Sequence, residues 1–251
     1  MRYLALAGII SFLLTACGSA PQSKNKLTVS DSTRSVKQGA FDTNWVNLFD
    51  GKTLNGWHSY GDSSAGNAWN IDDGAIHLKP GEKKGYQTQG GGDLISKDTF
   101  GNFDLTLRWK VAKNTNSGIL FYVQDDKKKY PETWYTGPEI QVLDVTGAED
   151  AHSPKHQVAD LYDLIACKTH PGMPPGLWNE TEIISDHGKL EVILNRVSVL
   201  TTTLWDDNWK KLIAGSKFKN MPGFGTFTSG HIALQDHGGE VWYKDVQVRK
   251  L

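Results

Sequence analysis

The 251-residue chain has only two cysteines, Cys17 and Cys167. Two thiols cannot form a disulfide framework, so the fold must rest on a buried core. An excess of either charge is missing too: 27 Lys and Arg stand against 28 Asp and Glu, a net charge of −1. With neither a positive balance nor a long basic run, the chain is not built for nucleic acid. The triplet Lys127-Lys128-Lys129 reads as a solvated hairpin tip. No apolar run approaches the roughly 20 residues a spanning helix needs. No stretch keeps a helical period beyond about two turns, and Leu204 to Lys211 allows at most one short helix. Nucleophile elbow, phosphate loop and dinucleotide fingerprint are all absent. Gly90-Gly91-Gly92 precedes Asp93 without a strand-to-helix context and reads as a flexible loop.

The longest apolar run lies at the start, from Leu4 to Leu14 behind Arg2. A positive start and a run this short predict a signal peptide over residues 1–16. Leu13-Leu14-Thr15-Ala16-Cys17-Gly18-Ser19 resembles a bacterial lipoprotein signal. That resemblance implies cleavage before Cys17, a lipid on Cys17, a membrane anchor and a place in the bacterial cell envelope. Residues 17–40 are rich in Ser, Lys, Thr, Gln and Asn and read as a tether that cannot bury a core. Residues 41–251 are then one domain. Cys167, left without a partner, reads as a small buried hydrophobe.

Strand signals fill that domain. Phe103, Leu105, Leu107, Trp109 and Val111 alternate with polar residues, the pattern of a half-buried strand. Ile119 to Val123 is apolar enough to be buried on both faces. Leu190 to Leu194 and Val197 to Leu200 flank Asn195-Arg196, a two-residue hairpin turn. His231 to His237 and Val241 to Val248 flank Gly238-Gly239 and look like a closing hairpin. Short strands with Gly-rich turns predict an all-β fold, a two-sheet antiparallel sandwich of jelly-roll type. Residues 145–180 form the longest stretch without a strand pattern, and long loops on a rigid sandwich often carry function.

The central stretch is Gly137-Pro138-Glu139-Ile140-Gln141-Val142-Leu143-Asp144. Glu139 and Gln141 are two apart, so they share one face of a strand, while Ile140 and Val142 face the core. In the segment after Gly230, Ile232 and Leu234 face the core, which turns Gln235 and His237 the other way. If both strands lie in one curved sheet, Glu139, Gln141, Gln235 and His237 line its concave face. An acid, an imidazole and two amides suit proton transfer on a hydroxyl-rich ligand, because an amide both donates and accepts. The candidate catalytic pair is Glu139 and His237. The candidate substrate contacts are Gln141, Asp144, Tyr122, Asp160, Tyr162, Trp178, Asn179, Gln235 and Asp236. A metal is less well marked. Pro154 between His152 and His156 forbids the helix that would bring the two imidazoles together. Asp144 with Asp150 or Asp160 could bind calcium chemically, but without a calcium-loop spacing. A divalent cation is thus an open element with no assigned ligands.

Several segments resemble the 3-keto-disaccharide hydrolase domain family. They are Leu48 to Trp57, Trp69-Asn70-Ile71-Asp72-Asp73-Gly74, Asn116-Ser117-Gly118-Ile119, Gly137 to Asp144, Asp160-Leu161-Tyr162-Asp163, Trp178-Asn179-Glu180 and Leu234-Gln235-Asp236-His237-Gly238. They cover roughly residues 45–251 in the family's order. The resemblance implies a concanavalin A-like sandwich with a sugar groove on its concave face, in a bacterial extracytoplasmic setting. It also implies chemistry on 3-keto-glycosides, in which the ketone acidifies the C2 hydrogen, a base removes it, the C1 substituent leaves, and water completes a net hydrolysis. Glu139 or His237 would be the base, with the other as acid or orienter. The chain departs from the family at Glu191 to Arg196, where relatives carry a His-Trp-Leu-Asn-Gly pattern, and at Arg108, where they often carry an acid. That departure keeps a carbohydrate-binding lipoprotein without catalysis as the alternative, with a purely structural surface protein third.

Overall fold

The structure is a computed structural model and describes residues 44–251. The expected signal peptide at 1–16, the lipid on Cys17 and the tether at 17–40 lie outside the described residues. The strands in chain order are β1 (Trp45–Asn47), β2 (Trp57–Ser59), β3 (Trp69–Asp72), β4 (Ala75–Leu78), β5 (Lys83–Lys84), β6 (Gln87–Thr88), β7 (Leu94–Phe100) and β8 (Phe103–Val111). They continue as β9 (Asn116–Val123), β10 (Glu139–Leu143), β11 (Asn179–Asp186), β12 (Lys189–Leu194), β13 (Val197–Thr203), β14 (Gly230–Leu234) and β15 (Val241–Lys250). One α-helix, α1, spans Asp207–Ala214.

The larger sheet runs β13-β12-β11-β8-β15-β4-β3, with β1 also on β15. The smaller runs β10-β9-β14-β7-β2, and β5 pairs with β6 alone. Every pairing between these strands is antiparallel. The core lies between the sheets. Leu105, Leu107, Trp109 and Val111 of β8 belong to one buried cluster with Ile119, Phe121, Ile140, Val142, Ile232 and Leu234 of the smaller sheet. Each fully buried side chain of this size contributes roughly 1.5–3 kcal/mol of transfer free energy.

The Asn195-Arg196 turn has positive φ at both residues, 49° and 68°, with Leu194 opposite Val197. That is the turn whose twist matches its strands. Lys127 to Lys129 form an exposed turn within the β9–β10 connection. The closing hairpin does not exist as such. β14 pairs with β7 and β9, whereas β15 pairs with β1, β4 and β8. Residues 235–240 therefore cross from one sheet to the other. Alternation around a Gly-Gly pair marks a reversal, and it does not say which sheet receives the second strand.

A bulge interrupts β9 against β14, where the register shifts between His231 and Ala233. At the bulge Tyr122 has φ 60° and turns into the core with its neighbour Phe121. Its hydroxyl donates to Gly101 O at 2.8 Å and lies 2.7 Å from Ser185 Oγ. Tyr122 is thus a core residue and does not reach the groove, a correction to its place among the substrate contacts. The residues after β10 fold back along its free edge. Tyr162 N donates to Glu139 O, Ala159 N to Gln141 O, and Gln141 N to Asp160 O, at 2.8–3.0 Å. This covers an edge that would otherwise expose unpaired backbone groups. It also brings Tyr162 beside Glu139.

Candidate active site

Glu139 and Gln141 stand on the face of the smaller sheet turned away from the core. Gly118 of β9 lies opposite Gln141, and Gln235 N donates to Gly118 O at 2.9 Å. The Glu139 carboxyl lies across Gly118, since a Cβ there would sit 2.1 Å from Glu139 Oε1. Only a glycine leaves room for it. The walls come from elsewhere in the chain. Tyr86 follows β5, Trp134 sits in a 3-10 turn (Thr133–Tyr135), Tyr162 comes from the edge-covering loop, and His237 from the sheet crossing. α1 is capped by Asp206, whose side chain accepts from Trp209 N at 2.7 Å. The helix is pinned by Trp209 Nε1 donating to Gly225 O at 2.8 Å. The 3-10 turn after it (Lys217–Asn220) then brings Lys217 and Phe218 to the rim.

Together these residues enclose about 250 Å³. A second cavity of about 510 Å³ adjoins it through Asn116 and His237. Its lining is polar and has no Phe, Tyr or Trp, with Lys83, Lys113, Thr115, Glu149, Asp150 and Glu240 among its residues.

The first pocket holds buried polar atoms without a protein partner: Gln141 Oε1, Gln235 Oε1 and Asn116 Oδ1. Buried acceptors are costly when unpaired, which makes this a place that expects hydroxyl donors. Gln141 and Asn116 are fixed by their other ends, Gln141 Nε2 on His156 O at 3.1 Å and Asn116 Nδ2 on Asp150 Oδ2 at 3.0 Å. Burial pushes the Glu139 carboxyl up to about 8; the Lys217 cation draws it down, the Asp93 and Asp150 charges add to the rise, and a hydrogen bond from Gln235 opposes it. Burial holds the Lys217 ammonium below its usual range, against the pull of Glu139, Asp163 and Asp150. Its Nζ lies 4.0 Å from the centre of the Tyr162 ring. Burial likewise lowers His237 from the ordinary imidazole value.

Of the residues singled out from the sequence, Glu139, Gln141, Tyr162, Gln235 and His237 meet in this pocket. The others lie outside it, each with structural work. Asp144 accepts from Asn114 N, Thr146 N and Thr146 Oγ1 at 2.6–2.9 Å and shapes the turn after β10. Asp160 is fully buried and holds Gln157 N, Cys167 N and His170 Nε2 at 2.7–2.8 Å. Asp236, also fully buried, points behind the pocket to Thr88 N, Gly92 N and Gly238 N at 2.9–3.1 Å. Asn179 locks the end of β11 to the β12–β13 turn through Asn195 Nδ2 at 2.8 Å. Trp178 lies against Lys244, with Nζ 4.2 Å from the ring centre, and shares a separate cavity with Arg108, Asn179 and Arg196. Alternation correctly identified polar positions; which of them turned outward at a pocket, and which inward at a turn, depended on loops with no period.

Asp144, Asp150 and Asp160 hold different partners and do not converge as calcium ligands. His156 lies between Asp150 and Asp163 at 3.2 and 3.3 Å and stacks on Tyr162. Among the described residues, one group has ligand atoms close enough to hold a metal ion: Asp160, Cys167 and His170, within 4.8 Å of one another. Its donors already have partners. The Cys167 thiol, pushed up by burial and by Asp160, donates to Ala159 O at 3.0 Å, and Asp160 carries His170. That pattern is a satisfied hydrogen-bond knot beside the edge-covering loop.

Sequence reading did not single out Lys217, Tyr86, Trp134 or Phe218 for the site. Asn116 opens one of the family-like segments but carried no assigned role. Lys217 had no signal at all, being one of several lysines around a short helix.

Residues 44–249 match the family described as the 3-keto-alpha-glucoside-1,2-lyase-like domain. A Bacteroides thetaiotaomicron protein named 3-keto-disaccharide hydrolase is 34% identical over 259 aligned positions, covering 92% of this chain and 89% of that one. A crystal structure from Parabacteroides distasonis, of a protein described only as a candidate glycosyl hydrolase, superposes with a TM-score of 0.72 at 27% identity. It covers 83% of this chain and 94% of that one. A Bacillus subtilis protein with a galectin-like fold matches at TM-score 0.50 and 14% identity, over 78% and 90% of the two chains, which speaks to the fold alone. The chain therefore belongs to the 3-keto-alpha-glucoside-1,2-lyase-like domain family.

Proposed function

We propose that this protein is an enzyme that cleaves 3-keto-glycosides by proton abstraction at C2 and elimination of the C1 substituent, followed by addition of water. The observation that carries the reading is a pair of titratable groups pushed apart in one pocket, Glu139 upward and His237 downward. Groups separated in this way mark the acid and the base. At neutral pH the imidazole is the proton acceptor and the Glu139 carboxyl is the donor.

The sugar ring occupies the smaller pocket, with hydroxyls on the free amide oxygens of Gln141, Gln235 and Asn116. Glu139, protonated and buried beside the Lys217 cation, donates to the C3 ketone oxygen. A neutral carboxyl and a cation in a dry site stabilise the enolate as its charge develops, because they need no reorganisation. His237 stands where the two cavities join, next to the C1–C2 bond, and takes the C2 proton. The enolate then collapses to the ketone, a C1–C2 double bond forms, and the C1–oxygen bond breaks. The leaving oxygen enters the wider polar cavity and takes a proton from water there. That polar lining, without Phe, Tyr or Trp, suits a hydroxyl-rich leaving group, as the name of the Bacteroides relative also suggests. The hydroxide left behind adds to C1 of the unsaturated ketone and His237 returns its proton to C2, which gives net hydrolysis.

The test is turnover of a 3-keto-glucoside and of the plain glucoside by purified protein. Only the ketone should react. His237→Ala should lose about 10²–10⁴-fold in kcat, as for a general base. Glu139→Ala should lose about 10²–10³-fold, and Glu139→Gln, which keeps a donor, clearly less. kcat/KM should fall on the alkaline side near pH 8 as Glu139 ionises, and on the acid side below the ordinary histidine range. If kcat/KM instead rises through pH 8 and Glu139→Gln is as inactive as Glu139→Ala, the carboxylate is the base and the assignment reverses.

Binding without catalysis was motivated by Glu191 to Arg196 and Arg108. These residues lie in the larger sheet or in its β12–β13 turn, and none of them lines the pocket. The departure therefore leaves the catalytic reading in place.

A further inference from the structure

Four wall residues of the pocket, Tyr86, Trp134, Gln235 and His237, come from three segments far apart in the chain. Each sits one residue from a group gripped by a buried carboxylate that does not line the pocket. Asp93, 2% exposed, accepts from Gln87 Nε2 at 3.1 Å, from Thr133 Oγ1, and from Asp236 N at 2.9 Å. Asp236 in turn accepts from Thr88 N, Gly92 N and Gly238 N. Two carboxylates, one behind the other, thus join the β5–β6 hairpin, the turn at Thr133 and the sheet crossing. The packing is close, since a Cβ on Gly91 would fall 2.2 Å from Asp236 Oδ2. Two buried acids side by side are costly. A region selected for stability alone would do as well with apolar residues.

We propose that Asp93 is a positioning residue of this site, whose carboxylate sets the spacing of the three wall segments around Glu139 without touching substrate. The proposal rests on the reading of the pocket as the catalytic site. The charged and titratable groups that bear on Asp93 are Asp236, Glu132, Tyr86, Glu139 and Tyr243. Its negative charge also adds to the raised proton affinity of Glu139. Position and charge therefore act together, and two variants separate them.

Thr133→Val removes one hydroxyl from the grip on the Trp134 segment. Asp93→Asn preserves the shape, because Thr133 can turn its hydroxyl to accept from the new amide, but it removes the charge. Both are measured as full-length protein by thermal melting, by kcat and KM on a 3-keto-glucoside against pH, and by carbon-13 NMR titration of the Glu139 carboxyl. In Thr133→Val, KM should rise, by up to about 10²-fold if the wall moves by an ångström, with kcat near wild type. In Asp93→Asn the Glu139 titration and the alkaline limb of kcat/KM should both move to lower pH, a shift that a merely structural role would not produce. An unchanged KM in a folded Thr133→Val protein overturns the positioning, and an unmoved Glu139 titration in a folded Asp93→Asn protein overturns the charge coupling. If Asp93→Asn does not fold, the KM of Thr133→Val alone decides. If the wild type binds a 3-keto-glucoside without turning it over and Thr133→Val weakens that binding, the catalytic reading fails and the positioning by Asp93 stands.

Discussion

At the scale of single residues, the site depends on what is missing at position 118 as much as on what is present at 139. The Glu139 carboxyl can lie across β9 only because Gly118 has no side chain. Gly118→Ala is expected to keep the fold, since a strand accepts alanine at modest cost. It should nevertheless displace the carboxyl and cost up to about 10²-fold in kcat/KM. Steady-state kinetics beside a melting curve checks this, and unchanged kinetics would mean that the carboxyl does not work from its present place. Much of this scale was legible in the sequence. Glu139 and Gln141 share a face because they are two apart in a strand, and Gln235 and His237 follow by the same rule. Asp236 was named a substrate contact, yet its side chain turns to Thr88 and Gly92 behind the pocket.

At the scale of elements, three non-repetitive segments finish what the strands begin. The loop after β10 covers a sheet edge and delivers Tyr162. The sheet crossing after β14 delivers Gln235 and His237. α1, a two-turn helix, delivers Lys217 just beyond its end. A helix this short has little stability of its own and depends on its cap and on Trp209. Asp206→Ala removes that cap and should cost roughly 0.5–2 kcal/mol. Part of the cost should appear as weaker substrate binding, because Lys217 hangs on the helix. A lower melting temperature with an unchanged KM would show that Lys217 is placed independently of α1. Periodicity marked Gln235 and His237 but not the crossing that carries them, and the supposed closing hairpin shows why. Local alternation describes a strand's two faces, while its partner strand is chosen by packing over the whole molecule.

At the scale of the whole molecule, two buried acids give the fold a pH dependence. Glu139 is raised to about 8 from an ordinary 4.5, and Asp93 to about 7 from 3.8. Both therefore bind protons more tightly folded than unfolded. Their contribution to stability is full below the unfolded values and is lost as pH rises through about 7 and 8. The melting temperature should be lower at pH 9 than at pH 6, and Asp93→Asn with Glu139→Gln should flatten that difference. A melting temperature that rises from pH 6 to 9 in the wild type would contradict the raised values. The lipid anchor at Cys17 is a proposal at this scale too, resting on residues 1–19. Cys17→Ala should release the protein from the membrane fraction of a bacterial host, and a protein that stays membrane-bound without Cys17 would refute the anchor.

The sequence by itself determined the all-β sandwich, the Asn195-Arg196 turn, and the shared face of Glu139 and Gln141. These follow from side-chain period and turn chemistry, which are local properties of the chain. Tertiary structure alone decided that His237 reaches the Glu139 pocket by a crossing between sheets, that Lys217 joins them, that Tyr122 turns inward at a bulge, and that Asp93 and Asp236 stand behind the walls. Each of these joins residues far apart in sequence through packing and burial, and burial, which pushes Glu139 up and His237 down, is a property of the folded whole.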